Sequence, residues 1–257
     1  YLTNLLRGHR VLFRLFPLVS LFCTSLILVP VSSSAFETTS KQAILVDAAT
    51  GTVLFEKNAD DRMAPSSMSK MMTIYQVFDA LKEGSLSLDD SFLVSEKAWR
   101  KGGSKMYVSV NSRVNVEDLL KGVIVQSGND ASIVIAEGLS GSEAAFSSEL
   151  NEVAKTLSMT NSSFVNASGW PDPDHYTTAR DLSKLAIATI KNFPDYYHYY
   201  AQKSFTYSGI KQFNRNPTLY RDLGADGLKT GRTESAGFGL ATSAIRKNRR
   251  LILVLNG

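Results

Sequence analysis

The stretch "APSSMSKMMTIYQVF", residues 64–78, places a lysine inside a run that should be apolar. Met68, Met71, Met72, Tyr75, Val77 and Phe78 crowd the segment 67–81. Apolar residues on so much of its circumference predict a helix buried at the centre of the protein. Lys70 follows Ser67 by three residues, so the two side chains share one helical face on neighbouring turns. Burial penalises an ammonium and depresses its pKa. A lysine that is neutral at working pH can take the proton of an adjacent hydroxyl, which a serine nucleophile requires. Ser66 and Ser69 compete as candidates, but only Ser67 has a lysine at i+3. The S-x-x-K pattern is short, and its bland meaning is a capping serine followed by a solvated lysine. The rest of the chain has to decide between the two.

The 257 residues are 44% apolar and 20% charged, the balance of a folded protein. The first 35 differ. Arg7, Arg10 and Arg14 precede an uncharged run over 15–31, and "SSSA" follows. A basic start, an apolar stretch and small residues predict a signal peptide over 1–35, cut between Ala35 and Phe36. The alternative is an uncleaved membrane anchor, against which Pro17, Pro30 and the small residues speak. Without this leader, 25 basic residues face 24 acidic ones, so charge gives no support to nucleic-acid binding. Cys23 is the single cysteine and belongs to the leader, which excludes disulfides and thiol chemistry from the remainder. His9, His175 and His198 assemble no metal motif, and no metal or other cofactor is expected. Catalysis would have to run on Ser, Thr, Lys, Tyr, Asn and carboxylates.

Outward from the central helix, "QAILVDAATGTVLFEKN" reads as a hairpin with strands at 43–46 and 53–55. "KEGSLSLDD" is a loop. Asn115 can cap a helix over 116–126, a second helix covers 130–139, and the polar turn "QSGND" separates them. A further helix spans 143–157. Thr178 and Asp181 in "TTARD" give a capping-box-like start to a helix ending near 190. Strands return at 204–207, 227–230, 237–243 and 251–255. With no internal repeat and no linker after residue 40, residues 36–257 are expected to form one domain. Its strands lie at both ends of the chain and its helices in the middle.

Two more triplets complete a pattern. "SGN" (Ser127, Gly128, Asn129) sits in the turn between helices, and "KTG" (Lys229, Thr230, Gly231) lies on a strand. In this order, SxxK, SGN and KTG are the signatures of the penicilloyl-serine transferases. "ILVDAATGTVLFEKNADDRMAPSSMSKMMT", "VEDLLKGVIVQSGNDA", "DHYTTARDL" and "DGLKTGRTESAGFGLATSA" carry the likeness further. From about residue 40 to 257 the chain resembles the low-molecular-mass D-alanyl-D-alanine carboxypeptidases, serine DD-peptidases of peptidoglycan maturation. The resemblance implies an α+β, DD-peptidase/β-lactamase-like fold, with an antiparallel five-stranded sheet flanked by helices and a helical subdomain.

The roles implied follow residue by residue. Ser67 is the nucleophile, helped by the dipole at the helix N-terminus, and Lys70 is its base. Ser127 stands on the opposite wall and relays a proton between Lys70 and the leaving amine; without the resemblance it reads as a turn serine. Asn129 bonds the substrate's peptide and helps to hold Lys70. Lys229 supplies charge for a substrate carboxylate and for the field around Lys70, and Thr230 bonds that carboxylate. Gly231 lets the substrate backbone approach the strand as an added edge. The backbone N–H groups of Ser67 and Arg232 form the oxyanion hole. Arg215 in "FNRNP" matches an "NRN" of related enzymes and would hold the terminal carboxylate; as a bare feature it reads equally as a solvated loop arginine. "RKGGSKM", residues 100–106, resembles the loop bordering the site.

The substrate implied is the peptidoglycan pentapeptide stem, losing its terminal D-alanine through a Ser67 ester, with β-lactams as covalent inhibitors. The place implied is the periplasm or the outer face of the cytoplasmic membrane. There are departures. Arg232 stands where the family usually has histidine. The family continues into a packed helix, a second β domain and an amphipathic membrane anchor, so the chain is expected to be C-terminally truncated. Contact with the membrane surface would come only through that anchor. Alternatives are a DD-endopeptidase or a class A β-lactamase of the same fold, or a non-catalytic wall-binding fragment. A β-lactamase typically carries SDN and an E-x-x-L-N loop, whereas "SSELN" at 147–151 lacks the first glutamate.

Overall fold

The computed structural model describes residues 36–234 and 236–257; the expected leader over 1–35 lies outside the described residues. Strands β1 (Gln42–Asp47) and β2 (Val53–Lys57) form the expected hairpin, with Leu45 opposite Phe55. A 3-10 turn (Ser66–Ser69) leads into α1 (Lys70–Glu83), then β3 (Ser91–Leu93), α2 (Glu96–Arg100) and β4 (Arg113–Asn115). Helix α3 (Val116–Lys121) runs on as a π-turn (Gly122–Gln126), and α4 (Asn129–Ser140), α5 (Glu143–Thr156) and α6 (Ala179–Asn192) follow. The chain then makes a 3-10 turn (Tyr197–Ala201), β5 (Ser204–Tyr207), β6 (Ile210–Phe213) and a second turn (Pro217–Tyr220). It ends with β7 (Ala225–Thr233), β8 (Gly237–Arg246) and β9 (Arg249–Asn256).

Five strands form one antiparallel sheet in the order β2-β1-β9-β8-β7. The two ends of the described chain therefore pair, Gln42 opposite Asn256 and Val46 opposite Ile252. Helix α6 packs on this sheet through the buried stripe Leu182, Leu185, Ala186 and Thr189. Helices α2 to α5 gather on the other side of α1. Between the two parts α1 buries Met71, Met72, Ile74, Val77 and Phe78 completely. That position explains why its sequence is apolar almost all round.

The sequence and the structure differ at two places that matter. The helix expected to begin at Ser67 is α-helical only from Lys70; Ser66 to Ser69 form the 3-10 turn. Ser66 has φ 51°, a left-handed value that an α-helix does not accept. The segment around Gly169 packs closely against it, since a Cβ on Gly169 would lie 1.9 Å from Ser66 O. The helix expected over 116–126 is α-helical to Lys121 and widens into the π-turn, where Ser127 N–H donates to Gly122 O. Ser127 then takes φ 65° and turns the chain. The short elements α2, β3, β4 and β6 carry too few apolar residues to show a period.

Thr178 caps α6, its hydroxyl accepting from Asp181 N–H at 3.0 Å. The Asp181 carboxylate does not complete a capping box; it accepts from Asn161 N–H and Ser162 Oγ, each at 2.9 Å. Thr178→Ala should therefore cost about 1 kcal/mol, as other lost caps do. In a domain of this size that is a fall of about 2–4 °C in Tm. An unchanged melting curve would mean that the capping bond contributes nothing.

Candidate active site

The first turn of the buried segment sets the place of Ser67. A 3-10 turn has three residues per turn, so Ser67 and Lys70 eclipse each other, closer than α-helical spacing brings i and i+3. Lys70 Nζ lies 2.9 Å from Ser67 Oγ. Nζ also donates to Asn129 Oδ1 at 2.7 Å and to Ser168 O at 2.5 Å. Lys70 is fully buried. All three of these partners are neutral oxygens. Two of them only accept, so in the neutral amine they would take its two N–H bonds and leave its lone pair facing the Ser67 hydroxyl. Burial, with the nearby Lys229, Arg215 and Lys101, holds the Lys70 pKa well below its ordinary 10.5, opposed by Asp130.

Ser168 O reaches Lys70 because of local turn chemistry. Asn166 Oδ1 accepts from Ser168 N–H at 3.2 Å and from Trp170 N–H at 3.0 Å, folding the loop back on itself. Gly169 follows with φ 73°, which lets the loop seat on the 3-10 turn. His175 ties the same region together, its Nδ1 accepting from Val165 N–H at 3.1 Å and its Nε2 lying 2.7 Å from Ser69 Oγ. Burial lowers the His175 pKa to about 4, so the ring is neutral at ordinary pH and Nε2 carries the proton donated to Ser69.

Ser127 is 2% exposed, and its Oγ bonds no described residue. It lines one cavity of the cleft together with Ser67 and Thr230. Asn129 opens α4, its Oδ1 on Lys70 and its Nδ2 donating to Gly102 O at 2.9 Å. Lys229 is 2% exposed on β7, and Nζ donates to Thr230 O at 3.2 Å. Burial and the nearby Arg215 lower its pKa to about 7. Arg215 is exposed, and Nη1 donates to Ser104 Oγ at 2.7 Å. Arg232 points outward from β7, its guanidinium 5.2 Å from the centre of the Phe238 ring.

At Gly231 the space a side chain would take is filled by the turn that carries Ser67. A Cβ there would lie 3.0 Å from Pro65 O and from Ser66 Cβ. The absent side chain first serves the contact between β7 and the turn; the expected approach of a substrate backbone is a separate matter of the strand's edge.

Two cavities, of about 510 and 820 Å³, open on this group, and Ser67, Ser104, Arg215 and Arg232 line both. The second runs past Asn129, Ser168 and Trp170. Sequence reasoning missed Ser168 and Trp170, and placed Ser104 only as part of the bordering loop 100–106. The asparagine-turn pattern "NASG" signals the first, whereas Trp170 carries no local signal. "SSELN" lies in α5, where Asn151 Nδ2 donates to Ser147 O and Phe164 O at 2.9 and 2.7 Å.

The chain belongs to the D-alanyl-D-alanine carboxypeptidase family, peptidase family S11, whose model matches residues 29–257. It is 42% identical over 221 residues to D-alanyl-D-alanine carboxypeptidase DacC of Escherichia coli, covering 83% of this chain and 55% of that protein. It thus spans about half the length of the curated relatives it matches. Penicillin-binding protein 5 of Haemophilus influenzae superposes with a TM-score of 0.83 at 38% identity, over 86% of this chain and 65% of that one. Penicillin-binding protein D2 of Listeria monocytogenes, solved in an ampicillin-bound form, superposes with a TM-score of 0.78 at 30% identity, over 86% of this chain and 90% of that one. The α+β, DD-peptidase-like fold with its five-stranded antiparallel sheet is therefore that of the family.

Buried lysines make stability depend on pH. The folded pKa of Lys229 lies near 7, below its ordinary 10.5, so between those values the unfolded chain binds more protons. The cost is complete below about 7 and vanishes above 10.5, so stability is regained as pH rises between them. Lys229→Met removes the effect. Denaturant unfolding of both proteins should show the wild type gaining on the variant above pH 7 by up to about 1.4 kcal/mol per unit. A constant difference would place the Lys229 pKa at its ordinary value.

Proposed function

We propose that this chain carries the catalytic unit of a serine-type D-alanyl-D-alanine carboxypeptidase, which removes the terminal D-alanine from peptidoglycan pentapeptide stems. The observation that carries this reading is the buried Lys70 amine, 2.9 Å from Ser67 Oγ and held by acceptors alone on its other bonds. Ser67 Oγ attacks the carbonyl carbon of the penultimate D-alanine, and its proton passes to Lys70 Nζ. The backbone N–H groups of Ser67 and Arg232 receive the oxyanion. Ser127 passes a proton from Lys70 to the leaving amine, the C–N bond breaks, and free D-alanine departs. Water then splits the Ser67 ester and restores the hydroxyl.

The substrate's terminal carboxylate lies against Lys229, Thr230 and Arg215. A charged Lys229 binds it best, and the bound carboxylate in turn raises the Lys229 pKa above its free value. Asn129 and the edge at Gly231 take the peptide backbone. Where relatives carry histidine, Arg232 brings a permanent charge between the two cavities, which favours acyl groups bearing an anion. A β-lactam offers an amide and a carboxylate to the same groups and remains as the acyl-enzyme, in keeping with the ampicillin-bound relative. The leader over 1–35 would send the protein to the periplasm or the outer face of the cytoplasmic membrane, where the stems are. Contact with the membrane surface is assigned to a C-terminal anchor of the kind its family carries.

Intact-mass spectrometry of the protein incubated with benzylpenicillin, beside Ser67→Ala, tests the reading. One adduct on the parent and none on the variant is expected. An adduct on both would move the nucleophile elsewhere, and none on a folded parent would end the reading.

A further inference from the structure

Asp130 follows Asn129 in α4 and is 1% exposed. Its carboxylate is satisfied by backbone amides. Oδ1 accepts from Met106 and Ala131 N–H, both at 2.9 Å. Oδ2 accepts from Tyr107 N–H at 2.9 Å and Val108 N–H at 3.3 Å. Charge-assisted bonds of this kind are the strong ones, and three successive amides drawn onto one carboxylate fix the course of their segment. Tyr107, at its middle, is held at φ 70°. Gly128 makes room for the arrangement, since a Cβ there would lie 2.8 Å from Asp130 Oδ1 and 3.2 Å from Met106 N. The glycine of SGN thus has a physical reason.

The segment fixed in this way continues back along the cleft, and Gly102, Gly103 and Ser104 meet residues of the site. Gly102 O accepts from Asn129 Nδ2 at 2.9 Å, and Ser104 O accepts from Asn129 N–H at 2.8 Å. An amide whose nitrogen is spent on Gly102 can only turn its oxygen to Lys70, where it lies at 2.7 Å. Ser104 Oγ holds Arg215. A Cβ on Gly103 would lie 2.7 Å from Asn129 Nδ2, so the strap sits directly on that amide.

We propose that Asp130 is a positioning residue for acylation: by clamping the strap 102–108 it aims Asn129 Oδ1 at Lys70 and places Ser104 against Arg215. This rests on the reading of Ser67 and Lys70 as the acylating pair. Asp130 touches no reacting atom and acts through its neighbours. Its charge adds a second effect. Among the groups around Lys70, the cations Lys229, Arg215 and Lys101 push the amine toward neutrality, and Asp130 alone of the named groups opposes them. Removing that charge displaces the acid limb of the rate profile to lower pH, a change that looser packing does not produce.

The test is the rate constant for acylation by a fluorescent penicillin as a function of pH, with amide hydrogen exchange over 106–108. Wild type, Asp130→Asn and Gly128→Ala are compared, with Ser67→Ala as control. Asp130→Asn should acylate about ten- to a hundredfold more slowly, the scale of a small misplacement. Its acid limb should move down, and its three amides should exchange faster. Gly128→Ala disturbs the clamp but keeps the charge, so it should lose rate with the limb in place. Faster exchange at 106–108 with wild-type acylation in either folded variant would overturn the proposal. So would slowed acylation with the amides still protected. Should Asp130→Asn not fold, Gly128→Ala decides alone by the same two criteria. A folded wild type that takes no penicillin would overturn the acylating pair itself, and the proposal with it.

Discussion

The constraint on which the structure turns is a lysine amine sealed from water beside a serine hydroxyl. An ammonium at that depth is costly unless it is paired. Lys70 meets Asn129 Oδ1, Ser168 O and Ser67 Oγ, none of them charged. The inexpensive state is the neutral one, which is the state that can deprotonate serine. Each of these oxygens arrives from a different part of the chain. The 3-10 turn supplies one, the start of α4 another, and the asparagine-turned loop at 166–170 the third.

The two-part architecture serves that meeting. Helix α1 lies between the sheet with α6 and the cluster of α2 to α5, so its first residue looks into the seam. Strand β7 brings Lys229 along one side, and its glycine lets it close on the turn that carries Ser67. The cations of the cleft then act in two ways. They depress the Lys70 pKa, and they form the field that a carboxylate substrate would enter. The strap clamped by Asp130 completes the other side.

Much of this was legible in the sequence, for identifiable reasons. The hairpin, α4 to α6 and the last three sheet strands have long apolar periods and turn residues at their ends. Ser67, Lys70, Asn129 and Lys229, each read from a short motif with a chemical reason, lie together in the cleft. What stayed hidden depends on tertiary contact. The 3-10 start of the buried segment lies close against Gly169, a tertiary contact with no local signature, and Ser168 contributes a backbone carbonyl that only the asparagine turn before it hints at. Gly231 was read as room for substrate, whereas its missing Cβ first makes room for Pro65 and Ser66. Asp130 lay in plain view inside "QSGND", but its work is on amides more than twenty residues away.

The central claim is that Lys70 is neutral where the enzyme works. Its direct measurement is an NMR titration of the protein carrying isotope-labelled lysine side chains, with the Lys70 signal assigned by its loss in Lys70→Ala. The account expects Lys70 to titrate well below 10.5, remaining uncharged at the pH where Ser67 is acylated. A Lys70 ammonium that persists up to its ordinary value would contradict it, and another group would have to take the serine's proton.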